Sequence, residues 1–224
     1  MWKSFCNVLI LCVCCVHPIS GAVSSATDGL MPRCLFLGVE LTKPVYFLYQ
    51  DDQGSQYECH LTAGYPKWLP GITYGWVTSC WQDKRFDPLR RAKYTSQGQF
   101  FRITIDYNFL KYTPKKNAAF LGLRYVGCFF GDRLQGTYRE GGTDRFIESN
   151  QSDVKARWFE ATAGVRLQVY RKLYVGSSAC YKFGLKVTQA DHHVPYYVLG
   201  WGLNDNQNKW GIDTYVSLGV PISG

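Results

Sequence analysis

Along most of this chain apolar and polar residues alternate one by one. From Phe101 to Phe109, the residues Phe101, Ile103, Ile105, Tyr107 and Phe109 fall on one side of an extended chain, and Arg102, Thr104, Asp106 and Asn108 fall on the other. From Phe159 to Val169 the apolar side holds Phe159, Ala161, Ala163, Val165, Leu167 and Val169, against Glu160, Thr162, Gly164, Arg166 and Gln168. A third segment sets Leu173, Val175, Ala179, Tyr181, Phe183, Leu185 and Val187 against Gly176, Ser178, Lys182, Gly184 and Lys186. Successive side chains of a strand point to opposite faces, so this period predicts strands lying between two unlike environments. Residues 35–41, 57–65, 69–80, 121–129 and 210–222 alternate in the same way with less purity. The total is eight strands, many of them long enough for the roughly 9 to 11 residues that a tilted strand needs to cross a bilayer.

The joints between these segments add a second pattern. Residues 66–68, 110–117 and 171–172 make short joints, and they alternate with the long polar stretches 81–96, 131–153 and 189–209. Only the first connection, residues 50–56, is short where the pattern calls for a long one. Short turns on one side and long loops on the other is the layout of an outer-membrane barrel. The expected fold is therefore all-β, an eight-stranded antiparallel up-and-down transmembrane β-barrel preceded by a signal peptide. A soluble β-sandwich or a lipocalin-like barrel alternates too, but it buries its apolar face and solvates its charged one. Here the polar face is rich in Gly, Thr and Ser with isolated charges of both signs, which suits a narrow, crowded lumen better.

The N-terminus supplies the export signal that such a barrel needs. Lys3 precedes an apolar run from Val8 to Val16, and Ser20-Gly21-Ala22 places small residues at a peptidase site. That run is too short for a membrane helix and fits a secretory signal. The predicted division is a signal peptide over residues 1–22, a linker over residues 23–34 and the barrel over residues 35–224. No apolar run of about 18 residues follows, so a membrane-embedded chain would have to cross as strands.

Composition narrows the chemistry. Of nine cysteines, Cys34, Cys59, Cys80, Cys128 and Cys180 lie beyond the signal, widely spaced and without a C-x-x-C pair, so neither a metal site nor any cofactor is expected. They read as small apolar fillers, with a bridge between two of them left open. The net charge is +8, but the basic residues are scattered, which argues against nucleic acid as a partner. Aromatic residues make up 16%, and in barrels these collect at the two membrane interfaces.

One charged set stands out. Arg102, Arg124, Arg166, Lys182 and Lys186 would share the lumen with Glu40, Glu58, Asp106, Glu160 and Asp213. Five cations face five anions inside a barrel just wide enough to be filled by side chains. Buried charge is costly unless paired, so these residues are expected to close and register the barrel rather than to form an ion path. His192 and His193, with Asp191, Ser177 and Ser178, are the candidates for a rim-active lipid-modifying enzyme or a metal site. Adjacent histidines point apart on an extended chain, and a solvated loop is the simpler account, so no catalytic residue is assigned. His60 reads as an interior histidine.

Several short motifs resemble a family of uncharacterised outer-membrane β-barrel proteins of Bacteroidota, carried as a domain of unknown function. They are Gly38-Val39-Glu40-Leu41-Thr42-Lys43-Pro44, Tyr57-Glu58, Pro195-Tyr196-Tyr197-Val198, and a last strand running from Trp210-Gly211-Ile212 to Val220-Pro221-Ile222. The resemblance spans roughly residues 35–222 and implies an eight-stranded barrel with no assigned activity. Barrel chains commonly finish on an aromatic residue, whereas this one ends Pro221-Ile222-Ser223-Gly224, so a weaker insertion signal is expected. The function expected is that of a structural or surface-interaction protein of the bacterial outer membrane. Its partners would be outer-membrane lipid, the barrel-insertion machinery during assembly, and an extracellular ligand or protein at loops 131–153 and 189–209. The rival readings are a lipid-modifying enzyme and a narrow channel.

Overall fold

The structure, a computed structural model, describes residues 32–44, 54–82, 92–110, 117–140, 143–188, 194–205 and 207–222. The strands are β1 (Cys34–Glu40), β2 (Ser55–Gly64), β3 (Trp68–Gln82), β4 (Ala92–Asn108), β5 (Ala118–Glu140), β6 (Thr143–Tyr170), β7 (Leu173–Thr188), β8 (Tyr197–Val198), β9 (Gly202–Leu203) and β10 (Lys209–Pro221). Eight of them form one ring in the order β1-β2-β3-β4-β5-β6-β7-β10, and every pairing in it is antiparallel. β1 pairs with β2 on one side and β10 on the other, so the first and last ring strands meet. Every strand of the ring thereby has a partner on both sides over at least part of its length, which is how a ring satisfies backbone donors and acceptors.

Four loop expectations change. The connection expected over residues 81–96 is shorter, because β3 runs to Gln82 and β4 starts at Ala92, with Gln82 paired to Lys93. The first connection is not short: β1 stops at Glu40, and residues 41–54 separate it from β2, with residues 42–44 forming a helical turn. Of residues 131–153, the described ones, 131–140 and 143–153, are strand and not loop. β5 and β6 continue through them as an antiparallel hairpin paired as far as Glu140 and Thr143. Among the described strands, β6 pairs with β5 alone from Thr143 to Val154, while β5 stays paired with β4 as far as Gly136, so residues 137–140 and 143–146 continue past the end of β4. The hairpin's strands carry polar side chains on both faces, which is why alternation fails to reveal them. The stretch 189–209 contains the two-stranded β8–β9 ribbon, which folds inward over the mouth of the ring.

The faces follow the alternation. Ile72, Ile103, Ile105, Leu121, Leu123, Val165, Leu167, Ile212 and Leu218 all point outward and are about half exposed. Glu58, Arg102, Asp106, Glu160, Arg166 and Asp213 point inward and are buried. β7 departs from the pattern at Gly184, whose φ of 70° favours glycine and accompanies a register shift against β6. Beyond that bulge the phase inverts. Leu185 and Val187 pack inward against the core, and Lys186 faces outward. Lys186 therefore does not belong to the lumen set.

No disulfide joins Cys34, Cys59, Cys80, Cys128 or Cys180. Cys34, Cys128 and Cys180 are buried fillers of the interior. No helix among the described residues is long and apolar enough to cross a membrane.

Candidate functional site: a layered and filled lumen

The interior is layered, and the order can be read down any one strand. On β6 the inward residues run Val154, Ala156, Trp158, then Glu160, Thr162 and finally Arg166. On β4 they run Phe100, Arg102, Asp106 and Asn108. An apolar layer therefore lies at the hairpin end, a charged layer beneath it, and a mixed layer nearest the short turns.

The apolar layer joins Val77, Phe100, Val126, Phe130, Val154 and Trp158 to Val198, Leu199 and Trp201 from the inward ribbon. Trp158 and Trp201 meet edge to face, with ring centroids 5.8 Å apart. Burying a large apolar side chain contributes about 1.5–3 kcal/mol, so three of them offset much of the ordering of a short ribbon. Close packing also sets the local sequence. A side chain at Gly75 would collide with the Phe100 ring, and one at Gly38 would collide with His60.

Directly below, six charges make a compact network. Arg102 pairs with Glu58, and its Nε lies 3.7 Å from Glu160. Arg124 lies 3.0 Å from Asp213 and 3.7 Å from Glu160, and it also donates to Ser178 Oγ at 3.2 Å. Lys43 completes the set by donating to Glu58 at 2.8 Å and to Asp213 at 2.9 Å. Glu160 accepts a further hydrogen bond from Trp158 Nε1 at 2.9 Å, which ties the charged layer to the apolar one. Lys43, Arg102 and Arg124 thus balance Glu58, Glu160 and Asp213. Lys43 escapes a search by strand alternation because it lies past the end of β1, in the helical turn. Glu40 caps that turn by accepting from the backbone N–H groups of Thr42 and Lys43.

The other predicted lumen residues stand apart from this network. Asp106 accepts from Thr162 at 3.2 Å. Lys182 donates to the Gly200 carbonyl of the ribbon at 2.6 Å. Arg166 stacks on the Phe36 ring, 3.4 Å from its centroid. His60 lies edge-on to Tyr215 at 4.8 Å. Between the charged layer and Arg166 lies a cavity of about 60 Å³, bordered by His60, Arg102, Asp106, Arg124, Arg166 and Tyr215. That is room for a few waters, which a polar lining would hold.

Ser178 is buried against Arg124, and Ser177 meets Thr214 at 3.5 Å on the opposite face, so the two serines do not share a site. Asp191, His192 and His193 lie outside the described residues. No group of three metal-ligating side chains occurs among the described residues.

Outside, aromatic rings lie at two levels. Phe129, Phe101, Tyr125, Phe159, Phe183, Tyr181 and Trp210 follow one another across β5, β4, β6, β7 and β10 at centroid distances of 4.9–6.4 Å. Toward the short turns, Trp68, Tyr107 and Phe109 form a second group, and Tyr170 is exposed at the end of β6. Eight residues separate Phe101 from Phe109, which at about 3.3 Å per residue and a tilt near 40° is roughly 20 Å. Eleven separate Phe159 from Tyr170, or roughly 28 Å on the same terms. Between the levels, no charged side chain among the described residues points outward.

The chain belongs to a family defined by a domain of unknown function, DUF6048, whose model matches residues 1–223. No curated protein matches it in sequence. Among solved structures, the crystal structure of Acinetobacter baumannii CarO is similar to it at 12% identity, covering 86% of this chain and 99% of that chain, with a TM-score of 0.39.

Proposed function

We propose that this DUF6048 protein spans a bacterial outer membrane as a plugged barrel and acts through its projecting surface, not through its lumen or by catalysis. The observation that carries the reading is the distribution of charge. An outward band of half-exposed aliphatic residues, free of described charges, lies between two aromatic levels about 20–28 Å apart. A soluble barrel would pay heavily for exposing that band, whereas lipid requires it, at an expected height of about 25 Å. The resemblance of its motifs to outer-membrane barrels of Bacteroidota and the export signal expected over residues 1–22 support the same reading.

The filled lumen supports an interaction role over a channel. An ion would have to pass an apolar layer that includes the ribbon and then a layer of paired charges. The β5–β6 hairpin supports a contact role for the upper surface. It continues past the end of β4, which accompanies β5 only as far as Gly136, and exposes Phe146.

Membrane fractionation followed by a heat-modifiability gel tests the location, and planar-bilayer recording tests the seal. The expected result is membrane recovery, faster migration of the unboiled sample and no steady single-channel conductance. Recovery in the soluble fraction, or a stable open pore, would overturn the respective part of the reading.

A further inference from the structure

The inversion of β7 at Gly184 has a chemical result. It carries Lys186 to the outer wall, directly opposite Arg157 of β6. Lys155, two residues along β6, is exposed on the same face, with its Nζ 5.9 Å from the Phe129 ring. Three cations thus sit over β6 and β7, immediately above the aromatic level formed by Phe129, Phe159 and Phe183. On the β5 side Arg157 faces Gly127, which offers no side chain, and the space beside it is bounded by the Phe101 ring.

Like charges placed directly opposite on neighbouring strands repel. None of the described carboxylates forms an ion pair with Lys155, Arg157 or Lys186. The outward carboxylate nearest in sequence, Asp153, belongs to the bulge that starts the projecting hairpin. Glu148 is already engaged by Arg133. A cluster of this kind, set at the level where acyl chains give way to headgroups, is complementary to an anion held at that depth.

We propose that Lys155, Arg157 and Lys186 form a binding site for the phosphate of an anionic lipid headgroup in the leaflet on the hairpin side. The arginine can grip two phosphate oxygens at once, and the two lysines add point charges. The acyl chains of the same lipid would lie against Phe129, Phe159 and Phe183. The site rests on the membrane-spanning reading above, because the headgroup level is fixed by the aromatic residues.

The test uses the full mature protein folded into detergent micelles, with native mass spectrometry of bound lipid. The probes are phosphatidylglycerol, phosphatidylcholine and inorganic phosphate. The wild type should retain phosphatidylglycerol over phosphatidylcholine, and inorganic phosphate at equal concentration should not displace it. At about 1 kcal/mol per basic residue near a charged lipid surface, Arg157→Gln with Lys186→Gln should weaken retention about ten- to thirtyfold. The same double variant should be at least as resistant to heat as the wild type in uncharged detergent, since it loses a repulsion, and less resistant once phosphatidylglycerol is added. Equal retention by the two proteins, no preference for phosphatidylglycerol, or displacement by inorganic phosphate would each overturn the site. Failure of the wild type to insert into vesicles would instead overturn the membrane reading.

Discussion

Removing the Arg102 guanidinium is the sharpest test of the charged layer. Its side chain is 3% exposed, and its partners Glu58 and Glu160 are 2% and 0% exposed. Arg102→Met leaves two anionic partners and turns a balanced layer of three cations and three anions into one with a net negative charge. Breaking a buried pair in this way costs about 3–5 kcal/mol. Glu58 keeps Lys43, and Glu160 keeps Arg124 and Trp158, so the lower end of that range applies. Adding Glu58→Gln restores balance, with Lys43 and Arg124 against Glu160 and Asp213. The double variant should therefore lose less than the sum of the two single variants, with a coupling of about 1–3 kcal/mol. Urea unfolding in lipid vesicles, followed by gel mobility and tryptophan fluorescence, reads these differences. At a slope of about 2–3 kcal/mol per molar urea, a loss near 3 kcal/mol lowers the midpoint by about 1–1.5 M. A midpoint unchanged by Arg102→Met, or strictly additive losses, would refute the argument that these charges hold the ring together as a unit.

Three further outcomes follow. Val165→Arg places a charge on the outward band and should cost about 2–4 kcal/mol in vesicles, while Val165→Leu should be near neutral, as read by urea midpoints. Trp201→Ala removes the ribbon's contact with Trp158, and limited proteolysis should then cut within residues 194–205 at a protease concentration that spares the wild type, with the barrel still heat-modifiable. Symmetric shortening of the hairpin by deleting residues 137–146 should leave heat-modifiability intact, and pull-down from cell-envelope extracts should show loss of whatever partner the wild type retains.

The ring was largely legible because one period governs it. Wherever a strand separates two environments, as from Phe101 to Phe109 or Phe159 to Val169, the alternation gives both the element and its facing. The same logic fails where the two sides become alike. In the hairpin, Arg133, Gln135, Glu148 and Asn150 line one face and Asp132, Ser149 and Gln151 the other, so both faces are polar and the continuation of β5 and β6 reads as loop. It also fails at a bulge: Gly184 sits in a polar position of an unbroken pattern, and nothing local tells that the phase changes there and carries Lys186 out. All but one of the network's charges were legible. Glu58, Arg102, Arg124, Glu160 and Asp213 follow from strand facing, whereas Lys43 reaches the network from a turn beyond it. The ribbon left a usable signal, since Val198-Leu199-Gly200-Trp201 is an apolar cluster inside a polar stretch and calls for burial.

If the outer wall meets lipid and the inner wall does not, the chain's own tryptophans report the difference. Trp68 and Trp76 point outward near the two aromatic levels and are 50% and 56% exposed, whereas Trp158 is fully buried inside. Single-tryptophan variants retaining one of these three, with phenylalanine at the other tryptophan positions, would be reconstituted into vesicles whose acyl chains carry bromine at defined depths. The account predicts strong quenching of Trp68 and Trp76 by shallow bromine and almost none of Trp158. Equal quenching of Trp76 and Trp158, or no quenching of either outward residue, would contradict it.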